Sequence, residues 1–290
     1  MQQQPLVSVL TPSFEQARYL RDCLESVRRQ TYGRIEQIVM DGGSRDGSVD
    51  LLERSSRQGL RWRSEPDRGQ AHAVNKALEA AEGSIIGWLN SDDAYADRRA
   101  VAWAVEAFER DPSLDAVIGH ALLVNEDNNV LQLLWTPPLS RRLLRRIHYV
   151  IQPTLFLRRS TIEREQRFLD ERYHFVFDRD VLLRLSQWAT FGHLGEVIAI
   201  DRHQRARKVE SSAYPEEALA FDEAHGIPTG RAAKTVAKAG KIAIRLAGTL
   251  RAARSARRVD PAIELHFPSP AALVGVQLLR KRTLMSFGAD

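Results

Sequence analysis

The sequence predicts an α/β protein built on a mostly parallel sheet with helices on both faces. Three observations support this fold class. Short apolar segments alternate with helical repeats along the chain, glycine- and acid-rich turns follow the apolar segments, and the length of 290 residues accommodates a full-sized core. In such sheets, ligands bind at the carboxyl ends of the strands, so the loops that follow the strands become the candidate functional segments.

The first half of the chain supplies four predicted strands, at residues 6–10, 35–40, 61–64 and 85–89. A helix at 19–29 places Leu20, Leu24 and Val27 on one face, another helix follows residue 49, and a third spans 71–81 and stops before Gly83. In the second half, we predict strands at 116–119, 130–135 and 197–200, a strand that begins at Gln152, and a helix at 181–188.

Composition excludes several classes of protein. With 43% hydrophobic and 27% charged residues, the chain is globular. Cys23 is the only cysteine, which excludes a disulfide framework and a cysteine-based zinc site and fits a reducing compartment. No secretion signal and no apolar run of spanning length are present, so we expect a cytoplasmic protein.

The positive charge is concentrated in the C-terminal part. Nine Lys or Arg residues and no acid lie between residues 231 and 258; the rest of the chain has 33 basic and 37 acidic residues. We therefore divide the chain into a catalytic domain, 1–225, and a basic helical tail, 226–290, and we do not expect it to bind nucleic acid.

The pattern of the tail predicts basic amphipathic helices. The first helix has a basic side, formed by Lys234, Lys238, Lys241 and Arg245, and an opposite apolar side, formed by Val236, Ala239, Ala243, Leu246 and Leu250. A second helix is predicted at 269–279. This pattern predicts contact with an anionic membrane surface, which would place the protein peripherally at the inner face of the membrane. The alternative is that both helices pack on the catalytic domain or on another subunit. The sequence does not indicate an oligomeric state.

Two adjacent carboxylates, Asp92 and Asp93, follow the apolar segment 85–89 directly. Neighbouring acids repel each other, and Mg²⁺ or Mn²⁺ held by one or two carboxylates and substrate phosphates would relieve the repulsion. The alternative is that one of them caps the following helix. If the loops after the four strands converge, a common site receives Glu15, Asp41, Asp67, Arg68, Asp92 and Asp93. No GxGxxG or GxxxxGK[ST] motif is present, which argues against a dinucleotide site and a P-loop.

Seven motifs, in order, resemble the family 2 glycosyltransferases of the GT-A fold. They begin with VSVLTPSF, DGGSRDGS, EPDRGQ, NKAL and WLNSDD, and they continue with IQPTLFLRR and FDRDVLLRL, so that the resemblance covers roughly residues 6 to 205. It implies a Rossmann-like GT-A domain followed by the helical extension, with a nucleotide-binding half, 1–115, and an acceptor-binding half, 116–225.

The resemblance implies roles for individual donor-side residues. Those matching nucleotide-sugar positions are Pro12, Glu15, Asp41, Asp67, Arg68, Lys76, Ser91 and Asp92. The ion, Mn²⁺ or Mg²⁺, would be bound by Asp93 with Asp92, and His203 matches a position near it. Asn90 stands where many relatives carry an acid. Lys76 is equally consistent with a solvated helix residue, and His203 with a structural histidine.

The resemblance also implies an acceptor side. Asp178 matches the catalytic base, and Gln152, Pro153 and Asp180 match acceptor-side positions, although acids in a first helical turn are also favoured by the helix dipole. The basic stretch 141–146 lies near the expected site mouth or forms a solvated face. A cationic loop containing Arg205, Arg207 and Lys208 would close over the diphosphate.

These features predict an inverting, metal-dependent glycosyltransferase that moves a sugar from a nucleotide-sugar donor to a hydroxyl of a glycan or lipid-linked acceptor. One alternative is a sugar-phosphate nucleotidyltransferase, which needs a glycine-rich basic loop after the first strand. Residues 11–18 contain no glycine. The other alternative is a non-catalytic, nucleotide-binding membrane scaffold.

Overall fold

The computed structural model describes residues 4–56, 59–165, 167–204 and 212–255, with side chains described up to residue 248. The predicted cationic loop residues Arg205, Arg207 and Lys208, the side chain of Leu250 and the predicted helix at 269–279 lie outside this description.

One sheet runs through the described part of the catalytic region, in the order β3-β2-β1-β4-β8-β6-β9-β5, with β7 paired to β6. Its strands are β1 Val7–Ser13, β2 Ile35–Asp41, β3 Leu60–Ser64, β4 Ile85–Trp88, β5 Ala94–Tyr95, β6 Ala116–Val124, β7 Val130–Leu134, β8 Phe156–Arg158 and β9 Phe191–Arg202. The helices are α1 Ala17–Arg28, α2 Ser48–Arg54, α3 Gln70–Ala80, α4 Ala100–Arg110, α5 Arg141–Leu144, α6 Arg159–Arg164, α7 Phe177–Leu185, α8 Tyr214–Ala224 and α9 Arg231–Ser255.

The sheet is mixed. Strands β1 to β4 pair in parallel, as the alternation of strand and helix predicted. Beyond β4 most pairings are antiparallel, because β8 runs against both β4 and β6, and β7 and β5 run against β6 and β9. The parallel first half sends its loops to one edge, whereas the second half wraps around that edge.

The two faces of β1 enter different hydrophobic cores. Leu10 belongs to a cluster that includes Trp88 and side chains of α3 and α7. Val7 and Val9 belong to another, with Cys23 of α1 and with side chains of α4. All three β1 side chains are fully buried. Because successive strand residues point to opposite faces, this alternation places helices on both sides of the sheet, as predicted.

Two predicted boundaries need correction. Gln152–Thr154 forms a 3₁₀ turn, and the strand begins only at Phe156. Pro153 has no backbone N–H and cannot donate to a strand ladder, which explains the delay. Helix α7 begins at Phe177, four residues before the predicted start, so Asp178 and Asp180 lie inside its first turn.

Helix α9 packs on the catalytic domain through small residues. A Cβ at Gly248 would lie 2.8 Å from Cβ of Trp135, and one at Gly240 would overlap the side chain of Ile147. Ala237 and Ile244 pack against the cluster that contains Leu10. The predicted alternative of packing therefore holds for this face of α9. None of the helices in the described part of the chain is both long and apolar enough to cross a bilayer.

Glu36 ties together the amino-terminal ends of four strands. Its buried carboxylate accepts hydrogen bonds from Ser8 Oγ and the Glu82 amide, both at 2.6 Å, from the Gly83 amide at 3.2 Å, and from Arg61 at 3.1 Å. Burial alone would raise the pKa of this carboxyl group, but the hydrogen bonds and the Arg61 charge lower it below its usual value.

We expect acid to destabilise the protein partly through Glu36. A folded-state pKa below the unfolded one adds stability above the unfolded pKa, and this is lost as the pH falls through the folded pKa. Urea titrations between about pH 6 and pH 3 should therefore show a steeper loss of unfolding free energy for wild type than for Glu36→Gln. Glu53→Gln, at an exposed helical site, is the control and should follow the wild-type curve. Parallel curves for wild type and Glu36→Gln would contradict this assignment.

Candidate active site

A cleft of about 450 Å³ opens at the carboxyl edge of the parallel strands. Eight of the predicted site residues line it: Pro12, Asp67, Ser91, Asp92, Asp93, Gln152, Pro153 and Asp178. They come from the ends of β1, β3 and β4, from the 3₁₀ turn and from α7. The expected convergence of distant loops on one crevice is therefore found for these residues, including the acid pair Asp92 and Asp93 and also Asp178.

The acid pair is held in place by hydrogen bonds. Asp93 is 3% exposed and accepts from the Arg202 amide at 3.0 Å and from Asn90 Nδ2 at 3.2 Å. Asp92 accepts from Gln204 Nε2 at 2.7 Å and lines the cleft. These donors fix the positions of both carboxylates.

Asn90 connects the two sides of the cleft through all four hydrogen bonds that a primary amide can make. Its Nδ2 donates to Asp93 and, at 2.8 Å, to Gln152 Oε1. Its Oδ1 accepts from Gln70 Nε2 at 2.8 Å and Trp88 Nε1 at 3.0 Å. Gln152 in turn donates to the Trp88 carbonyl at 2.5 Å. A carboxylate here could not donate to Asp93 or Gln152, so the asparagine suits this network.

Asp178 lines the cleft and lies near two polar rings. His148 Nε2 lies 3.6 Å from its Oδ2 and donates to the Val150 carbonyl at 3.1 Å. The pKa of Tyr214 is raised by burial and further by the negative charge of Asp178. The other carboxylate oxygen of Asp178 accepts from the Arg179 amide at 2.7 Å. One oxygen of Asp178 therefore faces polar neighbours of the cleft.

Two predicted donor residues, Asp41 and Glu15, do not line the cleft. Asp41 is 1% exposed, and its carboxylate accepts from the Ser44 amide at 2.9 Å and from Ser64 Oγ at 2.7 Å. It supports the Gly42 turn, which approaches the cleft residues Phe14 and Asp67 so closely that a Cβ at Gly42 would lie 3.0 and 3.1 Å from them. Glu15 is exposed and accepts from the Arg45 amide at 2.9 Å.

Four further predicted residues do not line the cleft either. Arg68 pairs with Glu171 at 2.6 Å, and Lys76 pairs with Glu65. Asp180 is 3% exposed and pairs with Arg184 of the same helix at 2.9 Å, and Arg184 also donates to the Phe168 carbonyl at 2.6 Å. His203 follows β9, and its amide donates to the Val124 carbonyl. Their roles at the site stay predictions.

Arg202 is the positioning residue that the sequence interpretation missed. Its fully buried guanidinium donates to the Asp92 carbonyl at 2.9 Å, to Asp22 at 3.0 Å and to Asn128, and it stacks 4.8 Å from the Tyr19 ring centroid. An arginine directly after the apolar run of β9 was the available signal, because a buried charge needs partners.

Aromatic and imidazole rings form much of the remaining wall. They were also not predicted as site residues: Phe14, Trp88, His148, His174, Phe175 and Phe177. Phe14 is 60% exposed at the cleft. Rings of this kind provide flat apolar contact next to the polar floor, which suits a ligand that contains both a base and sugar rings.

The acid pair fits a hard divalent cation. Within the described residues, no cluster of three or more His, Cys, Asp or Glu side chains is arranged to bind a metal. Two carboxylates with hard oxygen atoms are the set that Mg²⁺ or Mn²⁺ uses when substrate phosphates complete its coordination. Asp93 and Asp92 would therefore bind the ion together with a diphosphate.

Replacement of Arg202 by Gln should destabilise the protein by about 3 kcal/mol, because Asp22 and the Asp92 carbonyl lose their buried donor. The loop that carries the acid pair should loosen at the same time. We expect urea titrations to report the loss and Mn²⁺-dependent binding of a nucleoside diphosphate to weaken. As a control, Arg99→Gln removes an exposed pair with Glu106 and should stay within about 0.5 kcal/mol of wild type. Equal effects of both changes would refute the positioning role.

Comparison with known proteins identifies the family. The model of glycosyl transferase family 2 matches residues 8–172, which is more than half of the chain. An uncharacterised glycosyltransferase of Mycobacterium tuberculosis is 43% identical over 104 residues, or 36% of this chain and 40% of that protein. Chondroitin synthase of Pasteurella multocida is 29% identical over 196 residues, or 67% of this chain and 20% of the synthase. The chain thus spans less than half the length of these relatives.

Solved structures show the same fold. TarS 1–349 of S. aureus in complex with UDP-GlcNAc superposes with a TM-score of 0.59 at 17% identity, covering 75% of this chain and 66% of that one. The mannosyltransferase PcManGT of Pyrobaculum calidifontis, in complex with GDP-Man and Mn²⁺, superposes with a TM-score of 0.59 at 19% identity, covering 99% and 84%. With its mixed sheet, its cleft at the parallel edge and the matching family model, the chain belongs to glycosyl transferase family 2 and has the GT-A fold.

Proposed function

We propose that this protein is an inverting glycosyltransferase that moves a sugar from a nucleotide-sugar donor to a hydroxyl group of a glycan or lipid-linked acceptor. The observation that carries the proposal is the cleft itself, whose lining includes Asp92, Asp93 and Asp178. Direct displacement needs groups that hold an ion at the leaving diphosphate and a base for the attacking hydroxyl, and these three acids can meet both needs.

Residues 1–115 would bind the donor. Pro12, Asp67, Ser91 and Asp92 line the cleft on this side, and Asp41 braces the turn that carries Gly42. The solved relatives hold UDP-GlcNAc or GDP-Man at their own sites, which supports a nucleotide sugar here without identifying its base. A base would stack on Phe14, the exposed aromatic ring at the cleft.

Mn²⁺ or Mg²⁺ would be bound by Asp93 and Asp92, with His203 as a further candidate ligand. When bound, such an ion supplies positive charge that stabilises a departing nucleoside diphosphate. The Mn²⁺ in the mannosyltransferase complex supports this choice of ion. The chain contributes the rigid setting of the two carboxylates, since Arg202, Asn90 and Gln204 hold them through hydrogen bonds.

Residues 116–225 would bind the acceptor, with Asp178 as the general base. Asp178 Oδ2 faces the cleft next to His148, where an acceptor hydroxyl can reach it and give up its proton as the oxygen attacks. Gln152 and Pro153 would orient the acceptor, and Asp180 would fix α7 through Arg184. We further propose that the protein works in the cytoplasm, peripherally at the inner membrane face, with residues 226–290 as the membrane-contacting part.

Asp178→Asn tests the base directly. General-base removal typically lowers rates by about 10²- to 10⁴-fold, so we expect sugar transfer to fall by that range, while the donor and ion still bind because Asp178 is not one of the proposed donor or ion ligands. Transfer can be followed by nucleoside diphosphate release with and without acceptor. Asp50→Asn, an exposed acid on α2, is the matched control and should retain wild-type rates. Near wild-type transfer by Asp178→Asn would remove the base assignment.

A thermal-shift screen of nucleoside diphosphates with Mn²⁺ tests the donor side. Binding to the native state raises the melting temperature, so the matching nucleoside diphosphate should stabilise wild type only when Mn²⁺ is present. Asp93→Asn should abolish the Mn²⁺-dependent part, because the ion loses its main carboxylate. Pyrophosphate release from a nucleoside triphosphate and a sugar phosphate, with no transfer from nucleotide sugars, would instead identify a nucleotidyltransferase.

A further inference from the structure

Helices α5 and α9 lie far apart in sequence but form one cationic surface. Ile147, just after α5, fits against Gly240 in the middle of α9. Arg145 also donates to the carbonyls of His225 and Gly226, at 3.3 and 3.1 Å, and so ties α5 to the segment that leads into α9. We define the α5–α9 surface by its six exposed cations, which are Arg141, Arg142, Arg146, Lys234, Lys238 and Lys241.

This surface carries positive charge that no carboxylate in the described part of the chain neutralises. No acid occurs between residues 128 and 162 or between 224 and 259. Within the described residues, no carboxylate pairs with any of the six cations, whereas Arg61 and Arg68 elsewhere on the surface each pair with a glutamate. Desolvation, and then the positive charges of Arg245 and Arg179, lower the pKa of Lys241. An anionic partner would relieve this repulsion.

Helix α9 also exposes an apolar strip, on a side of the helix separate from its lysines. Val236 and Leu246 are 47% and 50% exposed, and Ala239 and Ala243 between them are exposed as well. The face with Gly240 and Gly248 is already used for packing on the domain. The catalytic domain therefore does not cover the exposed apolar residues, and burying them requires another partner. Cations together with an apolar strip match an anionic lipid surface better than a nucleic acid, whose backbone offers no apolar layer.

The surface adjoins the active-site cleft. His148 and Val150 line the cleft and follow Ile147 directly in the chain. Arg179, whose charge acts on Lys241 of α9, follows the proposed base Asp178. A membrane bound to this surface would therefore lie close to the acceptor side of the cleft.

We infer that the α5–α9 surface docks the protein on an anionic bilayer, with its cations at the headgroups and Val236, Ala239, Ala243 and Leu246 in the interfacial layer. The orientation brings the acceptor side of the cleft to the membrane and so favours a lipid-linked acceptor, a consequence that rests on the proposed function. The docking itself does not depend on sugar transfer.

Vesicle flotation of the full chain tests the docking. Wild type should float with vesicles of phosphatidylcholine and phosphatidylglycerol and remain behind with phosphatidylcholine alone. Each cation near an anionic surface strengthens binding to the vesicle. We therefore expect the double change Arg141→Gln and Arg142→Gln to weaken binding roughly thirtyfold, and the double change Lys234→Gln and Lys238→Gln to weaken it equally. The matched double change Arg54→Gln and Arg110→Gln removes the same charge from exposed positions on α2 and α4 and should bind like wild type.

A fluorescent label tests which face of α9 meets the bilayer. Cys23 is buried, so one introduced cysteine can be labelled selectively. An environment-sensitive dye on Ala243→Cys should shift to the blue with phosphatidylglycerol vesicles, whereas the same dye on Glu109→Cys should not. Glu109 is exposed on α4, which packs on the opposite hydrophobic cluster from α9.

Three results would overturn the inference: no flotation of wild type, an equal loss for the α2–α4 control pair, or retention on DNA without flotation. Nucleoside diphosphate binding with Mn²⁺, measured on the same proteins, distinguishes this failure from failure of the proposed function. Loss of flotation with intact Mn²⁺-dependent binding leaves the donor-site proposal standing. Intact flotation without such binding leaves the docking standing.

Discussion

The buried guanidinium of Arg202 is the constraint on which the active-site geometry depends. It reaches the Asp92 carbonyl, the α1 carboxylate of Asp22 and the turn residue Asn128, and its own amide binds Asp93. A charge enclosed this completely is tolerated only when its donors are satisfied, and three separate parts of the chain supply the acceptors and the ring that encloses it. The acid pair therefore has a defined position although it lies on a loop.

Hydrogen bonds at the opposite ends of the parallel strands also fix the geometry of the active site. Glu36 gathers Ser8 of β1, Arg61 of β3 and the amides that precede β4, so the strands are aligned where they start. Because neighbouring strands hold register over several residues, alignment at one end fixes the positions of the loops at the other. The cleft thus depends on polar contacts at both edges of the sheet.

The repeating part of the fold was predictable from the sequence. Each of the first four strands is a short apolar segment, and the polar residues that follow it mark the carboxyl edge of the sheet. These local signals are sufficient to predict that Asp67, Asp92 and Asp93 line one cleft. The second half was harder, because antiparallel pairings such as β8 with β4 join segments seventy residues apart and leave no local pattern. The 3₁₀ turn that contains Pro153 was predicted as the start of a strand, because apolar residues follow it.

The site residues also differ in how well the sequence predicts them. Acidic residues could be identified because carboxylates bind metal ions and accept protons, and Asp178 lies in the cleft. The supporting side chains Arg202, Gln70 and Gln204 act through partners that are distant in sequence, so no local spacing identifies them. Asp180, for which the resemblance implies an acceptor-side role, pairs with Arg184 in the same helix, and its role at the site stays a prediction.

The four bonds of Asn90 have a consequence for the order of events at the site. One amide group joins Asp93, which we propose to bind the donor's ion, to Gln152, which we propose to orient the acceptor. A ligand that displaced the carboxylate of Asp93 would also have to release or turn this amide, and the displacement would reach Gln152 within a single residue. Under the proposed roles, occupancy of one half would therefore affect the other, and linkage would make the effect mutual: an acceptor bound at Gln152 would alter the affinity for the donor by the same factor.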